Sequence, residues 1–242
     1  MKDIRINLWS SPRNISTAMM YSFAQREDMS VVDEPLYAHY LTHTDSQASH
    51  PATAQILENQ EANGQKVVSQ MLYGEYPKSS VLFKQMTHHL IHLEEDFLAK
   101  MRNVLLIRDP RRIIASYSKV IPNPTIQDIG VRMQAELFEK LQKKNTLNAI
   151  VDTKQVLLNP HKVLETLCDK LEIPFSKKML KWEAGARPED GVWAPYWYSN
   201  VHSSTGFQPY VEKEVHLSDE LEKLAEECMP YYELLRQYAI EA

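Results

Sequence analysis

The chain has 242 residues, 43% hydrophobic and 24% charged, with a formal net charge of −5. That length supports one well-buried α/β core, read as a single domain over residues 1–242, and the negative balance excludes a general nucleic-acid binder while allowing a local basic pocket. Cys168 and Cys228 lie far apart on helix-patterned segments and read as buried free thiols. With no long apolar run and no leader pattern, the sequence reads as a cytoplasmic protein that neither crosses nor binds a membrane.

Ile4, Ile6 and Leu8 alternate with polar residues, which predicts a strand with one buried face. Ser10 to Asn14 follows as a tight loop, and Ser16 to Arg26 as a helix. A strand, a short loop and a helix N-terminus aim free backbone N–H groups and a positive dipole end at one point. Arg13 adds a fork-shaped cation there, and Ser16 and Thr17 add hydroxyls, which suits a phosphate or sulfate. The Walker pattern G-x-x-x-x-G-K-[ST] is absent, and the loop has no glycine.

Ser30 to Pro35 reads as a short strand ending in Asp33 and Glu34. Residues 38–50, rich in His, Thr and Ser, read as a loop or lid. Pro51 suits the start of a helix running to Asn63, with Gly64 in the role of its terminating glycine, and Val67–Tyr73 as a further short helix. Val81–Lys84 is the next strand, followed by a helix carrying His88, His89 and His92. Val104–Ile107 is a continuous apolar run, as in a central parallel strand. Arg108 leaves it directly, and Pro110 opens a helix on which Ser116 lies two turns in. Thr125 begins an amphipathic helix with Ile129, Met133, Leu137 and Leu141 on one face. Ala149–Val151 is a fifth strand, Pro160 starts the helix to Leu171, and Ser218 caps a final helix interrupted at Pro230. Strands alternating with helices predict a parallel sheet covered on both sides, with ligand at the strands' carboxyl ends. Arg13, Glu34, Lys84 and Arg108 all fall at or near such ends.

Ser-Ser-Pro-Arg-x-x-Ser-Thr after the first strand, and Leu-Leu-Ile-Arg-Asp-Pro-Arg-x-x-x-x-Ser around Arg108, resemble the sulfotransferases that use PAPS (3′-phosphoadenosine 5′-phosphosulfate). The segment Val151–Phe175, with Asn159-Pro160, is similar to that family's late strand and helix. The aromatic block Gly191–Tyr198 with Ser204-Thr205-Gly206-Phe207 looks closest to a subgroup in which some members carry a branched-chain aminotransferase name, though no lysine for pyridoxal phosphate can be singled out. Asn14-Ile15 stand where the family has a glycine, and Ser-Ser-Thr-Gly-Phe stands near where many members have Arg-Lys-Gly. Ile15 would tolerate a left-handed backbone poorly, which predicts a differently shaped loop.

The resemblance implies a P-loop NTPase-like three-layer α/β sandwich. It implies that Ser11, Arg13, Asn14, Ser16 and Thr17 bind the 5′-phosphosulfate, that Arg108 and Ser116 bind the 3′-phosphate, and that Trp193, Thr205 and Gly206 lie near the nucleotide. Glu34 takes the position of the general base, with His88 (or His89) as rival, and Lys84 matches a strand-end lysine of cytosolic members. Trp193, Trp197 and Phe207 would stack on adenine, shape the acceptor pocket, or simply fill core. His88 and His92 have a zinc-compatible spacing without a third ligand, so no metal is expected. The expected partner is a small-molecule acceptor bound by residues 39–50 and 193–207. An ATP-dependent kinase on the same sheet and a non-catalytic nucleotide binder remain the alternatives.

Overall fold

The computed structural model describes residues 3–44 and 50–242. Six parallel strands run β1 (Ile4–Ser10), β2 (Met29–Asp33), β3 (Ser80–Met86), β4 (Arg102–Ile107), β5 (Leu147–Asp152) and β6 (Ala239–Ile240), in the spatial order β2-β3-β1-β4-β5-β6. The chain leaves β1 towards one edge, returns through β3, and then crosses to β4 on the other flank. That reversal opens a crevice at the carboxyl ends of β1, β3 and β4, where open α/β sheets take ligands.

Strand alternation builds the three layers. Ile6, Leu8, Leu82, Val104 and Leu106 face one core with Met19, Met20 and Phe23 of α1 (Ser16–Ala24). Trp9, Val81, Phe83, Leu105 and Ile107 face the other, with Ile113, Ile114, Leu137, Leu141 and Leu235. β3 is buried throughout, including Lys84 and Gln85, and β4 is buried from Asn103 onward. The fold is that of the three-layer α/β sandwich read from the strand–helix alternation.

Several local expectations change. The polar stretch after Glu34 forms a buried helix, α2 (Tyr37–Thr42), because Tyr37, Tyr40 and Leu41 pack in a third core with Ile56, Trp193 and Tyr198. The other end of that expected loop, 45–49, lies outside the described residues. The helix expected up to Asn63 ends at Asn59 (α3, Thr53–Asn59), and Gly64 opens α4 (Gly64–Tyr73), with the Asn63 side chain capping Lys66 N–H. Glycine is needed there for close approach: a Cβ would lie 2.5 Å from Leu93 Cδ2 and 2.8 Å from His39 Nδ1. The Thr125 helix is split by Gly130 at φ +73° into α6 (Ile126–Ile129) and α7 (Val131–Lys143), after α5 (Pro110–Tyr117). Met133 is consequently only half-buried.

His88 and His89 sit on a single 3-10 turn, Thr87–His89, with His92 outside it at φ +50°. The helical zinc spacing therefore does not exist, and among the described residues no group of three or more His, Cys, Asp or Glu could hold a metal ion. After α8 (Thr153–Leu158) and α9 (Pro160–Lys170), the aromatic block forms two short helices, α10 (Ala194–Trp197) and α11 (Ser199–His202). α12 (Asp219–Arg236) continues through Pro230, and no described helix is long and apolar enough to cross a membrane.

Candidate active site

A cavity of about 380 Å³ lies over the carboxyl ends of the strands. It collects Arg13, Asn14, Ser16, Thr17, Glu34, Lys84, His88, Arg108, Ser116, Trp193 and Gly206. Eleven of the residues singled out from the sequence thus share one space, although they come from widely separated segments. Ser11 and Thr205 do not line it. Ser11 is buried beneath the loop, where its hydroxyl accepts from Asn14 Nδ2 at 3.3 Å. Thr205 is exposed and offers only its carbonyl, to Trp182 N–H.

The loop after β1 is built around Asn14. Its Nδ2 donates to the Leu106 carbonyl at 2.7 Å and its Oδ1 accepts from the Thr153 hydroxyl, so its side chain ties the loop to β4 and to the segment after β5. With both ends engaged, that side chain anchors the loop. The left-handed residue is Arg13 at φ +54°, one position earlier than expected, and Ile15 sits at φ −42° as the N-cap of α1. Ile15 therefore suffers no left-handed strain. α1 begins without a side-chain cap or a first-turn acid among the described residues; its Ser16 N–H donates to the Asn14 carbonyl, which leaves the N–H groups of Thr17 and Ala18 available at the cavity.

Two cations flank these groups. Arg13 Nε donates to Ser116 Oγ at 3.0 Å and Nη1 to the Trp197 carbonyl at 3.4 Å, with the guanidinium 5.9 Å from the Trp197 ring. Arg108 Nη1 donates to the Arg13 carbonyl, whereas its Nε is buried without a partner among the described residues. Neither arginine forms an ion pair with a carboxylate among the described residues. Burial lowers the pKa of both, and Arg112 and Arg13 lower that of Arg108 further. A pair of half-desolvated guanidinium groups, with Asp109 and Asp152 only weakly offsetting Arg108, is suited in electrostatic terms to an anion.

Across the cavity the charges are paired. Lys84 points off β3 into a buried knot, donating to Asp33 Oδ1 at 2.8 Å, to Glu34 Oε1, and to Tyr198 Oη at 2.7 Å. Burial works against the Lys84 ammonium, but Asp33 and Glu34 hold its pKa well above the ordinary lysine value. Glu34 stands at φ +40° immediately beyond β2, with its N–H bonded to the Lys84 carbonyl at 2.8 Å. Burial pushes its carboxyl up to about 7, with Lys84 opposing. The lysine is thus neither solvated nor free to meet a ligand as an isolated cation.

Aromatic and imidazole rings complete the wall: Tyr37, His50, His89, Tyr117, Trp197 and Phe207. His89 stacks on Tyr37 at 4.7 Å and on Tyr40 at 4.8 Å. Burial drives the His88 pKa down to about 3 and that of His89 well below its ordinary value, so both imidazoles stay neutral. The sequence reading missed Asp33 and Tyr198 as site residues. For Asp33 a signal existed, an acid at a buried position of an alternating strand. Nothing local distinguished Tyr198 from its aromatic neighbours.

The model of the sulfotransferase domain family matches residues 4–239. The chain belongs to the sulfotransferase family. Two Arabidopsis thaliana proteins, branched-chain-amino-acid aminotransferase-like proteins 2 and 1, are 38% and 39% identical to it over 96% of its length. It spans only 41% and 42% of theirs. Among solved structures, the sulfotransferase domain of a Synechococcus olefin synthase superposes with a TM-score of 0.58 at 18% identity, covering 94% of this chain and 95% of that domain. A mouse sulfotransferase complexed with PAP gives 0.56 at 12% identity, covering 98% and 87%. A sulfotransferase from Alicyclobacillus acidocaldarius gives 0.56 at 10% identity, covering 99% and 98%. At these identities the structural likeness is one of fold.

Proposed function

We propose that this sulfotransferase-family chain transfers a sulfuryl group from PAPS to the hydroxyl or amine of a small-molecule acceptor. The observation that carries the reading is the meeting, in one cavity, of two guanidinium groups that form no ion pair among the described residues and a buried, raised carboxyl. The donor set fits a nucleotide bearing two anionic ends: Arg108 keeps a buried Nε without a partner among the described residues, and Arg13 sits at the uncapped N-terminus of α1. The mouse neighbour's complex with PAP, the desulfonated nucleotide, is in line with this assignment.

PAPS, when bound, supplies the sulfuryl group and leaves as PAP. Arg13, Ser16, Thr17 and the first N–H groups of α1 hold the 5′ end, and Arg108 with Ser116 holds the 3′-phosphate. Charge that grows on the leaving phosphate oxygen in a loose in-line transfer is offset by Arg13 and those N–H groups. Glu34 takes the acceptor's proton as the new oxygen–sulfur (or nitrogen–sulfur) bond forms. Its carboxyl, raised to about 7, is a far stronger base than His88 at about 3. The rings of Tyr37, Tyr117, Trp193 and Trp197 enclose the acceptor.

Calorimetric titration with PAP, beside ATP with magnesium, tests the reading. Micromolar PAP binding that weakens at least about tenfold in Arg108→Ala is expected, since a charge-assisted hydrogen bond contributes about 1.5–3 kcal/mol. Binding of ATP with no binding of PAP would replace sulfuryl transfer with a kinase activity.

A further inference from the structure

Base catalysis by one carboxylate leaves Asp33 unexplained. It ends β2 directly before Glu34, is buried, and has both oxygens engaged. Oδ1 accepts from Lys84 Nζ at 2.8 Å, and Oδ2 accepts from Tyr198 Oη at 2.7 Å and from Gly191 N–H at 3.1 Å. The Tyr198 hydroxyl is itself fixed by Trp193 Nε1 at 3.0 Å. Lys84 has three N–H donors, and Asp33, Glu34 and Tyr198 use all of them. Glu34 Oε2 alone has no hydrogen-bond partner among the described residues, and Glu34 lines the cavity.

We propose that Asp33 is a positioning residue for Glu34: it holds the Lys84 ammonium from the far side, divides that one cation between two carboxylates, and so leaves Glu34 able to accept the acceptor's proton. This rests on the reading of Glu34 as the base. Paired with Lys84 alone in a buried site, Glu34 would be locked as a weakly basic anion, because an undivided neighbouring ammonium strongly favours the charged form. Burial supplies the largest upward push on Glu34, and Asp33 adds to it by cancelling part of the Lys84 attraction. The charged and titratable groups facing Glu34 are Asp33 from β2, Lys84 from β3, Tyr37 from α2 and Tyr198 from the α10–α11 junction, with Arg13 on the same cavity. Of the close ones, only Lys84 is a cation, so the division of its charge sets how far the ammonium pulls the carboxyl back down against burial.

The test is a carbon-13 NMR titration of the full chain labelled at its Asp and Glu side-chain carboxyls, with Glu34→Gln assigning the signal. In the unaltered protein Glu34 is expected to titrate at about 7. Asp33→Asn should lower that midpoint by about one unit or more, a tenfold loss of proton affinity, and Asp33→Glu should restore it. An unmoved midpoint in Asp33→Asn overturns the proposal. So does an ordinary carboxyl midpoint in the unaltered protein, a result that needs no variant at Asp33 to fold. PAP titrations on the same samples separate the two readings. Absent PAP binding removes the transferase function and leaves the Asp33 linkage intact, whereas normal PAP binding with an unmoved midpoint removes only the role of Asp33.

Discussion

Replacing His88 with asparagine should remove about 2 kcal/mol of acid sensitivity from the fold. His88 is buried, its Nδ1 lacks a partner among the described residues, and its ring contacts are Tyr40 at 5.0 Å and His89 at 4.6 Å. Burial holds its pKa at about 3, with His50 pushing the same way and Asp128 weakly against. In the unfolded chain the imidazole titrates at about 6.5. For a base with a depressed folded-state pKa, the unfolded state gains protons first as pH falls. Stability is therefore intact above about 6.5 and is lost below it, until the folded state protonates near 3. Between pH 8 and pH 5 that linkage amounts to about 2 kcal/mol for one imidazole. Glu34 acts in the opposite sense: its raised carboxyl stabilises the fold below the ordinary glutamate value, and that contribution fades as pH rises through about 7. The net curve mixes both terms, so the informative quantity is the stability gap between His88→Asn and the unaltered protein. Urea unfolding at pH 8 and pH 5 should show that gap shrinking by about 2 kcal/mol, or on the order of 1 M in midpoint. A gap of constant size would show that His88 protonates in the folded state, and would reinstate it as the rival base.

Glu34→Gln should lower sulfuryl transfer by about 10²–10⁴-fold while leaving PAP affinity within a factor of two, read by turnover with PAPS and by calorimetry; equal loss in both would make the residue structural. In the unaltered protein the transfer rate should rise with pH to a plateau above about 7, since Glu34 must be ionised to act. A profile flat from pH 5 to 8 would exclude it as the base. Gly64→Ala should cost about 1–3 kcal/mol in thermal unfolding, because its Cβ would press on Leu93 and the buried His39 ring. A neutral result there would mean that the α3–α4 turn relaxes freely.

The sheet, and the gathering of Arg13 and Arg108 at its strand ends, were legible because both depend on local pattern. Val104–Ile107 can only be a strand covered on both faces, and Arg13 and Arg108 lie where the chain leaves β1 and β4. Features set by tertiary partners were not legible. α2 has the composition of a loop, and it is helical because Tyr37 and Tyr40 find a core supplied by Ile56 and Trp193. Gly64 had the spacing of a helix stop, yet its role comes from Leu93 and His39 pressing on it. His88 and His92 suggested a helix face by spacing, whereas the backbone turns after His89 and separates them. Lys84 read as the end of its strand, whereas β3 runs on to Met86, and nothing local marked the two acids that absorb its charge.

The knot at Lys84 also fixes when, during synthesis, the site can exist. Asp33 and Lys84 are 51 positions apart, but Tyr198 is separated from Asp33 by 165 positions and from Lys84 by 114. Trp197, which braces Arg13, is 184 positions away from it. Contacts of such long range form only after the intervening chain has been made and collapsed. Until the aromatic segment docks, the two acids and the lysine stay in water, where carboxyl and ammonium groups keep ordinary proton affinities. A nascent chain therefore carries Asp33, Glu34 and Lys84 without the hydrogen bonds that tie Asp33 and Lys84 to Tyr198, which arrive with the docking of residues 191–198.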